Sequence, residues 1–559
     1  MILKNEKRNK FILNSFIFVL IFFYLSHGLN WGLPSNERVA GLFGNKDELL
    51  KESDGLAKVY QQERKKKDNK IYIKDYKQYV SSQAYETSIS LALSRFLVVP
   101  YAGDDSLILK ALRNLDPKSY DFDPNFYMYG GGFVYSSAVL LGTLDFLNII
   151  KLKNNIVYYL ENPSEIGNIY LSLRYLVLFS FLLGFVIFFY FVKKYFGEKH
   201  AYLSSLILLI NPEIIASTHA IEPHAFVFPI FMLGIIFAQR YYLKSKNKYL
   251  ILYAIFSGLS IGTQATSLYI LFPFFYIQYL NFRKHVGLKN IIINFLKFLI
   301  ISLVSFLIIN PYYLINFSGM ISDLLVGFNN LLSTKETNAT IFSEFRAPFQ
   351  ISLFLTVLFI FSVFYYFAFI SNKNNNLLIF IIVPAILIYV TLGGIMQYIF
   401  SSLAIFSILS SLMIFNLINR INSFQIKFSI IFLVISLMII SPLSRSLYYF
   451  VNYGYDNRLI SAIWINENIE TNKKISLRYP PTNWDSVPFD FRKYIILNKK
   501  NSLDADYVLL VNEELNPKFE DQFTLLKKFP PKSVLGYRSS LKGEVHAIYA
   551  KYISIYKKK

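Results

Sequence analysis

Residues 175–192, with the sequence YLVLFSFLLGFVIFFYFV, form an uninterrupted apolar stretch that ends directly before Lys193 and Lys194. A helix needs about 20 such residues to cross a hydrocarbon core roughly 30 Å thick. A core helix of a soluble protein has no reason to be apolar on every face for that length. The stretch therefore predicts a membrane-spanning helix.

Similar stretches recur along the chain, which has 559 residues, 54% of them hydrophobic. Each is bounded by polar connections and predicts a further span. The fold class that follows is a polytopic α-helical membrane protein. The eleven predicted spans are residues 11–28, 173–192, 201–217, 225–241, 249–263, 265–282, 291–311, 350–371, 377–394, 398–417 and 426–444.

Short basic connections between the spans predict the orientation of the chain, because such loops lie on the cytoplasmic side. These connections follow every second span. They lie on the same side of the membrane as the basic N-terminus only if a twelfth apolar stretch, 133–150, does not cross the membrane. We therefore expect 133–150 to be an amphipathic or re-entrant segment at the membrane surface, entered through Gly130–Gly132. The basic residues are Lys4, Lys7, Arg8 and Lys10, then Lys193, Lys194, Lys199, Arg240, Lys244, Lys246, Lys248, Arg283, Lys284, Lys289, Lys373, Arg420 and Lys427.

This orientation places the N-terminus in the cytoplasm and the C-terminus outside a cytoplasmic (inner) membrane. No small-x-small cleavage site follows the first apolar stretch, so we interpret it as an uncleaved span. The predicted external segments are a large first loop at 29–172, shorter loops at 212–224 and 312–349, and the C-terminal residues.

The C-terminal residues change character. Residues 462–469 form an amphipathic helical pattern, and residues 474–477 and 507–511 have the apolar composition of short strands. The sequence therefore predicts two domains, a membrane domain over 1–444 and a small external α/β domain over 445–559.

Composition excludes two classes of function. The chain has no Cys, which excludes disulfides and thiolate metal sites. Its formal net charge is +21, but no nucleic-acid recognition motif accompanies that charge, and basic residues at membrane edges explain it. The expected contacts are therefore with membrane lipids, and nucleic acid is not an expected partner.

The densest acidic signal in the first external loop is PYAGDDS, residues 100–106, followed by an amphipathic helical pattern. Asp104 or Asp105 could cap that helix, where the helix dipole favours a carboxylate. A carboxylate there could instead act as a general base on an acceptor hydroxyl. The residues alone leave both alternatives open.

A second polar stretch, STHAIEPH at residues 217–224, joins two predicted spans. Ionisable residues at membrane depth are functional candidates. His219 and Glu222 are three residues apart and are candidate ligands for a divalent cation, with His224 close by. The alternative is an interfacial loop that only meets water.

Two further polar residues belong to predicted membrane edges. Arg174 begins the second span, where its guanidinium could bind a lipid phosphate bidentately or serve as an interface anchor. Gln264 lies between the fifth and sixth spans, where most polar side chains form hydrogen bonds with the unpaired backbone groups at helix ends.

The order of these motifs resembles the GT-C superfamily of glycosyltransferases, in particular the family 39-like dolichyl-phosphate-mannose protein mannosyltransferases and their aminoarabinose-transferase relatives. The stretch from Gly103 to Leu115 resembles the acidic first-loop motif and its helix. The stretch from Phe122 to Gly130, which includes Tyr129, resembles the approach to a juxtamembrane helix. The stretches at 218–224, 258–264, 310–312, 463–469 and 505–508 continue the series.

The resemblance implies an inverting transfer of a sugar from a polyprenyl-phosphate-linked donor to a glycolipid, polysaccharide or protein acceptor. Asp104 would be the base, with Asp105 as alternative or support, and Glu222 would position the acceptor or orient a donor-bound ion. Arg174 would hold the lipid phosphate. The other substrate-binding candidates are Tyr129, His219, His224 and Gln264.

The sequence departs from the family in two ways. The acidic pair is Asp-Asp rather than Asp-Glu, and the segment from Trp31 to Pro100 that precedes it is longer than usual, which makes Glu37 a rival for the base. The competing functional interpretation is a lipid or glycan transporter or flippase. Against it, the two halves of the chain show no matching intramembrane charges or interrupted helices.

Overall fold

The structure is a computed structural model. It describes residues 15–68, 89–102, 105–336, 346–369 and 400–421. Beyond residue 421 it describes all positions except 422, 424, 427–428, 430–432, 434–435, 437–441, 478–480, 482, 484–485, 499–502, 513–514, 516 and 535–550.

Most of the described chain is helical. Up to the long apolar helix Pro163–Phe196, the helices are Ser15–Ser26, Asn36–Phe43, Lys46–Asp68, Ile89–Val98, Asp105–Asn114, Gly131–Phe146 and Ile156–Glu161. After it come Glu198–Leu209, Pro212–His219, Pro223–Phe226, Phe228–Lys244, Asn247–Thr263, Phe272–Arg283, Leu288–Ile309, Tyr312–Ile315, Phe317–Glu336, Arg346–Phe369, Phe400–Arg420, Ser444–Tyr453 and Asn457–Asn468.

Four helices within the described residues are long and apolar enough to cross a membrane, namely Pro163–Phe196, Pro223–Lys244, Leu288–Ile309 and Phe400–Arg420. A fifth crossing results if the bent pair Glu198–Leu209 and Pro212–His219 is one span. All five coincide with predicted spans. The prediction of a multi-pass helical membrane protein is therefore confirmed, while the number eleven stays a prediction.

Some predicted spans are interrupted or lie partly outside the described residues. The span expected at 265–282 is not one α-helix, because Ala265–Leu271 is a 3-10 helix and an α-helix begins only at Phe272. Pro273 lies in the first turn of that helix, where proline is tolerated. The span at 377–394 lies outside the described residues, as does most of 426–444.

The bend of 63° between Glu198–Leu209 and Pro212–His219 has a local cause. Pro212 cannot continue the preceding helix, and it starts the next one. Asn211 caps that second helix, because its side-chain oxygen accepts a hydrogen bond of 3.0 Å from the backbone N–H of Glu213. The sequence predicts one span at 201–217 and does not predict this bend.

The apolar stretch predicted to lie on the membrane surface forms the helix Gly131–Phe146. It has 16 residues, fewer than a span requires. Large apolar side chains remain exposed along it and just beyond it, as for Val139 at 69% and Phe146 at 84%. A helix of this length with exposed apolar side chains is consistent with a position on the membrane surface. That position stays a prediction.

The chain forms two compact units, each assembled from separated segments. The first comprises residues 1–27, 108–140 and 174–447, and the second comprises residues 28–107, 141–173 and 448–559. The C-terminal residues thus share their unit with two parts of the predicted first external loop. This division differs from the predicted boundary at 444 and 445, which followed local composition alone.

The C-terminal part of the second unit carries a five-stranded mixed sheet, which confirms its predicted α/β character. The strands are β1 (Lys474–Leu477), β2 (Ile495–Asn498), β3 (Tyr507–Val511), β4 (Phe523–Phe529) and β5 (Ile553–Lys558), in the order β2-β1-β3-β5-β4. β1 pairs in parallel with β2 and β3, whereas β5 pairs antiparallel with β3 and β4. The predicted helix and both predicted strands are present at Asn457–Asn468, β1 and β3.

Candidate functional site

The polar residues of the stretch 217–224 lie where helices of the first unit end and begin. His219 is the last residue of the helix Pro212–His219, and Glu222 is the N-cap of the helix that starts at Pro223. The side chain of Glu222 makes no capping hydrogen bond, although the residue is only 9% exposed. Its carboxylate is therefore directed to other groups rather than to the helix end.

Glu222, His224 and Gln264 form one buried network. Glu222 Oε2 lies 3.3 Å from His224 Nε2, and His224 Nδ1 lies within hydrogen-bonding distance of Gln264 Nε2. Because the amide nitrogen of Gln264 can only donate, Nδ1 accepts and Nε2 carries the proton that faces the carboxylate. The sequence-predicted residues Glu222, His224 and Gln264 are thus brought together.

Gln264 owes its position to the break between two helices. It terminates the helix Asn247–Thr263 and precedes the 3-10 helix Ala265–Leu271. Its Nε2 also donates to Thr266 Oγ1 at 2.7 Å. The amide is therefore fixed from both sides, and it holds the imidazole of His224 in the tautomer that presents N–H to Glu222.

His219 is held differently. It is 1% exposed, with Nδ1 2.9 Å from the carbonyl oxygen of Ile215 and Nε2 2.9 Å from that of His27. Both ring nitrogens therefore face backbone carbonyls, and the ring joins its helix to the end of the first apolar helix. This geometry counts against the predicted role of His219 in binding substrate or metal, which stays a prediction.

A metal site at Glu222 and His219 also stays a prediction. Within the described part of the chain, no group of three or more His, Asp or Glu side chains is arranged to hold a metal ion. Two ligands from one short loop would need further donors from the substrate or from water to satisfy a divalent ion.

The remaining predicted residues are placed as follows. Arg174 lies on the helix Pro163–Phe196, is 1% exposed, and is near enough to His219 to interact with it electrostatically. Tyr129 makes edge-to-face contacts with Phe126 and Phe133, with ring centroids 5.2 and 6.0 Å apart. Tyr129 thus packs where the loop enters the helix Gly131–Phe146.

The acidic pair is described in part. Asp104 lies outside the described residues. Asp105 is the first residue of the helix Asp105–Asn114, and it is 1% exposed. Glu37, the rival acid, is exposed in the first turn of the helix Asn36–Phe43.

Two buried polar groups of the first unit, Glu213 and Asn310, were given no role of their own in the sequence analysis. Glu213 is 1% exposed and accepts a hydrogen bond of 2.8 Å from Ser217 Oγ. The sequence could have indicated it, because an acidic residue inside a predicted span is a functional candidate. Asn310 accepts from the backbone N–H of Gly131 at 2.7 Å and donates to the carbonyl of Gly262 at 3.0 Å. Only the fold shows that Asn310 joins these two glycine-rich segments.

Residues 164–314 match the family described as dolichyl-phosphate-mannose-protein mannosyltransferase. The predicted resemblance to the dolichyl-phosphate-mannose protein mannosyltransferases is confirmed for this segment. The matched residues include Arg174 and the network of Glu222, His224 and Gln264. The acidic pair at 104–105 and the C-terminal sheet lie outside the match.

Among solved structures, the chain is similar to ArnT from Cupriavidus metallidurans bound to undecaprenyl phosphate, with 11% identity, 81% of this chain and 93% of that chain covered, and a TM-score of 0.39. It is also similar to the archaeal oligosaccharyltransferase AglB from Archaeoglobus fulgidus in complex with an inhibitory peptide and a dolichol-phosphate, with 11% identity, 73% and 64% covered, and a TM-score of 0.40. TM-scores this low do not establish a shared fold. No curated protein matches the chain significantly.

Proposed function

We propose that the protein is an inverting glycosyltransferase that moves a sugar from a polyprenyl-phosphate carrier to an acceptor at the external face of the inner membrane. The observation that carries the proposal is the family match over residues 164–314, since the family's donor is a dolichyl-phosphate-linked sugar. The buried network of Glu222, His224 and Gln264 lies within that segment and supplies a carboxylate of fixed orientation.

In the proposed reaction, a carboxylate of the acidic pair takes the proton from the acceptor hydroxyl. The hydroxyl oxygen bonds to the anomeric carbon as the bond from that carbon to the phosphate oxygen breaks, which inverts the configuration. The polyprenyl phosphate leaves with the bonding electrons, and the guanidinium of Arg174 offsets its charge. Asp104 is the proposed base, with Asp105 as the alternative, and Glu222 positions the acceptor or a donor-bound cation.

The test is a strain that lacks this chain, complemented with variants and examined by mass spectrometry of its glycolipids, surface polysaccharides and glycoproteins. We expect one glycan class to lose a sugar, wild type and Glu37→Gln to restore it, and Asp104→Asn to insert in the membrane without restoring it.

Full restoration by Asp104→Asn would refute the proposed base. An unchanged glycan profile in the deletion strain would refute the transferase, and a build-up of complete but untransported glycan would favour the transporter.

A further inference from the structure

The second unit contains a buried aromatic ring held by two arginines, only a few residues before the acidic pair. The Cζ atoms of Arg38 and Arg458 lie 3.9 and 4.3 Å from the ring centroid of Tyr101. All three side chains are at most 1% exposed. Cation–π attraction is strongest when the cation is removed from water, as both arginines are here.

Arg38 fixes the backbone on one side of Tyr101. Its guanidinium donates to the carbonyl oxygens of Phe96 at 2.7 Å and Val99 at 3.0 Å, and also to that of Gly32. The same Gly32 carbonyl accepts a hydrogen bond of 2.8 Å from the backbone N–H of Tyr101. These bonds tie the end of the helix Ile89–Val98 to the residues that follow the first apolar helix.

Arg458 holds Tyr101 from the C-terminal part of the unit. It lies in the first turn of the helix Asn457–Asn468, and its Nη1 donates to the carbonyl oxygen of Asn483 at 2.9 Å. Asn483 in turn donates through Nδ2 to the carbonyl oxygen of Pro100 at 2.7 Å. Two residues from beyond position 450 therefore hold both the ring of Tyr101 and the peptide before it.

A further aromatic contact closes this arrangement. The indole of Trp31 meets the rings of Tyr101 and Tyr453 edge-to-face, with centroids 5.7 and 5.9 Å apart. Buried groups with several partners of this kind keep one rotamer, because any alternative would leave a charge without its hydrogen bonds. We call Arg38, Tyr101, Arg458 and Asn483 the Tyr101 cluster.

The position of the cluster in the chain gives it a consequence for chemistry. Asp105, the buried first residue of the helix Asp105–Asn114, follows Tyr101 by four residues. Fixing Tyr101 limits where that helix can begin, and a displacement of about 1 Å at a reacting group can cost roughly 100-fold in rate. An exposed loop without such anchoring would have to be ordered by the substrate itself.

We infer that Arg458 and Asn483 of the C-terminal segment are positioning residues for glycosyl transfer, which act by holding Tyr101 and thereby the helix start that carries Asp105. The C-terminal α/β segment is then part of the catalytic machinery rather than an appended binding domain. The inference rests on the proposed function for the transfer step, while the anchoring itself is independent of it.

The experiment compares the full chain in detergent as wild type, Tyr101→Phe, Tyr101→Leu, Arg458→Lys and Arg458→Gln. Arg492→Gln is the matched control, because Arg492 also lies over an aromatic ring, that of Phe43 at 4.5 Å, in the same unit. Hydrogen–deuterium exchange is measured in peptides covering 105–114 and, as a folding reference, in β1 and β3. Transfer is measured with a lipid extract of cells that naturally carry the chain as the donor, at limiting and saturating amounts.

We expect Tyr101→Leu and Arg458→Gln to exchange at least about tenfold faster across 105–114, with β1 and β3 unchanged. Transfer at saturating donor should fall by about tenfold or more with little change in the half-saturating amount, and Tyr101→Phe and Arg458→Lys should recover most of it. Arg492→Gln should behave as wild type.

Unchanged exchange over 105–114 in folded Tyr101→Leu and Arg458→Gln overturns the anchoring. Faster exchange without loss of transfer overturns only the positioning role, and absence of transfer by wild type overturns the proposed function.

Discussion

At the scale of single residues, the environment of each side chain decides what it can do. Glu222 is a helix N-cap by position, yet its carboxylate faces Nε2 of His224 rather than the helix end. His219, three residues earlier, has the same membrane depth in the sequence pattern but faces two carbonyl oxygens. Glu222 therefore meets a side chain, whereas His219 joins two helices through their backbones.

Replacement of Glu222 tests that distinction. Glu222→Gln keeps the size of the side chain and can still meet His224, but it removes the charge that would position an acceptor or a cation. We expect sugar transfer to fall by about 100-fold with membrane insertion retained. Glu198→Gln is the matched control, because Glu198 forms a half-exposed ion pair with Lys193 at 2.8 Å. The role fails if the two variants transfer sugar equally well, as measured with the same lipid extract.

Asp323 shows how burial and pH act together at one residue. Its Oδ2 accepts hydrogen bonds from the backbone N–H groups of Tyr127 at 2.6 Å and Met128 at 3.2 Å. Burial raises the pKa of Asp323 above its usual range, an effect that these bonds and Lys110 partly offset. A raised pKa in the folded state means that the contribution of Asp323 to stability is fully present at low pH and is lost as the pH rises through that pKa.

Two substitutions at Asp323 separate these effects. Asp323→Asn keeps an acceptor for both N–H groups, so its unfolding temperature should match wild type at acidic pH and exceed it as the pH rises. Asp323→Ala leaves the buried N–H of Tyr127 without its acceptor and should cost about 1–3 kcal/mol at acidic pH, with a smaller difference from wild type as the pH rises. Thermal unfolding in detergent across the pH range checks both. Parallel pH curves for wild type and Asp323→Asn would show that Asp323 does not titrate.

At the scale of elements, glycine determines how closely two helices of the first unit approach one another. A Cβ at Gly258 would overlap the carbonyl oxygen of Ser302, and a Cβ at Gly130 would overlap that of Gly262. The helices Asn247–Thr263 and Leu288–Ile309 therefore meet backbone to backbone, as small residues permit in membranes. The sequence showed the glycine-rich stretch at 258–262 but not which helix it would meet.

Alanine substitution tests that close approach. Gly258→Ala should lower the unfolding temperature in detergent clearly, because the added methyl meets a carbonyl that belongs to a helix backbone and cannot move alone. Gly142→Ala, also in a helix but with open space around the added atom, should be neutral or stabilising by up to about 1 kcal/mol through helix propensity. If both variants unfold at the wild-type temperature, the two helices are not packed as closely as described.

At the scale of the whole molecule, the predicted topology decides whether the candidate residues face the lipid-linked donor. Charge asymmetry predicts that the basic loops lie in the cytoplasm and the first loop, 29–172, lies outside. The chain has no Cys, so single introduced thiols report location without background. We expect Leu152→Cys to react with a membrane-impermeant maleimide in intact cells, and Ser245→Cys to react only after permeabilisation. Reaction of Leu152→Cys only after permeabilisation would reverse the assigned sides.

The sequence alone determined the membrane class, the position of most described spans and the α/β character of the C-terminal residues. These properties depend on the length of the apolar stretches, the positions of charged residues and the local periodicity, all of which can be read directly from the sequence. It also pointed to Glu222, His224 and Gln264, because polar residues at membrane depth are costly without a role. Only the tertiary structure decided that these three side chains meet, that His219 faces carbonyls, and that Arg458 and Asn483 reach Tyr101. Each of these contacts joins residues through folding and packing geometry, which no local pattern encodes.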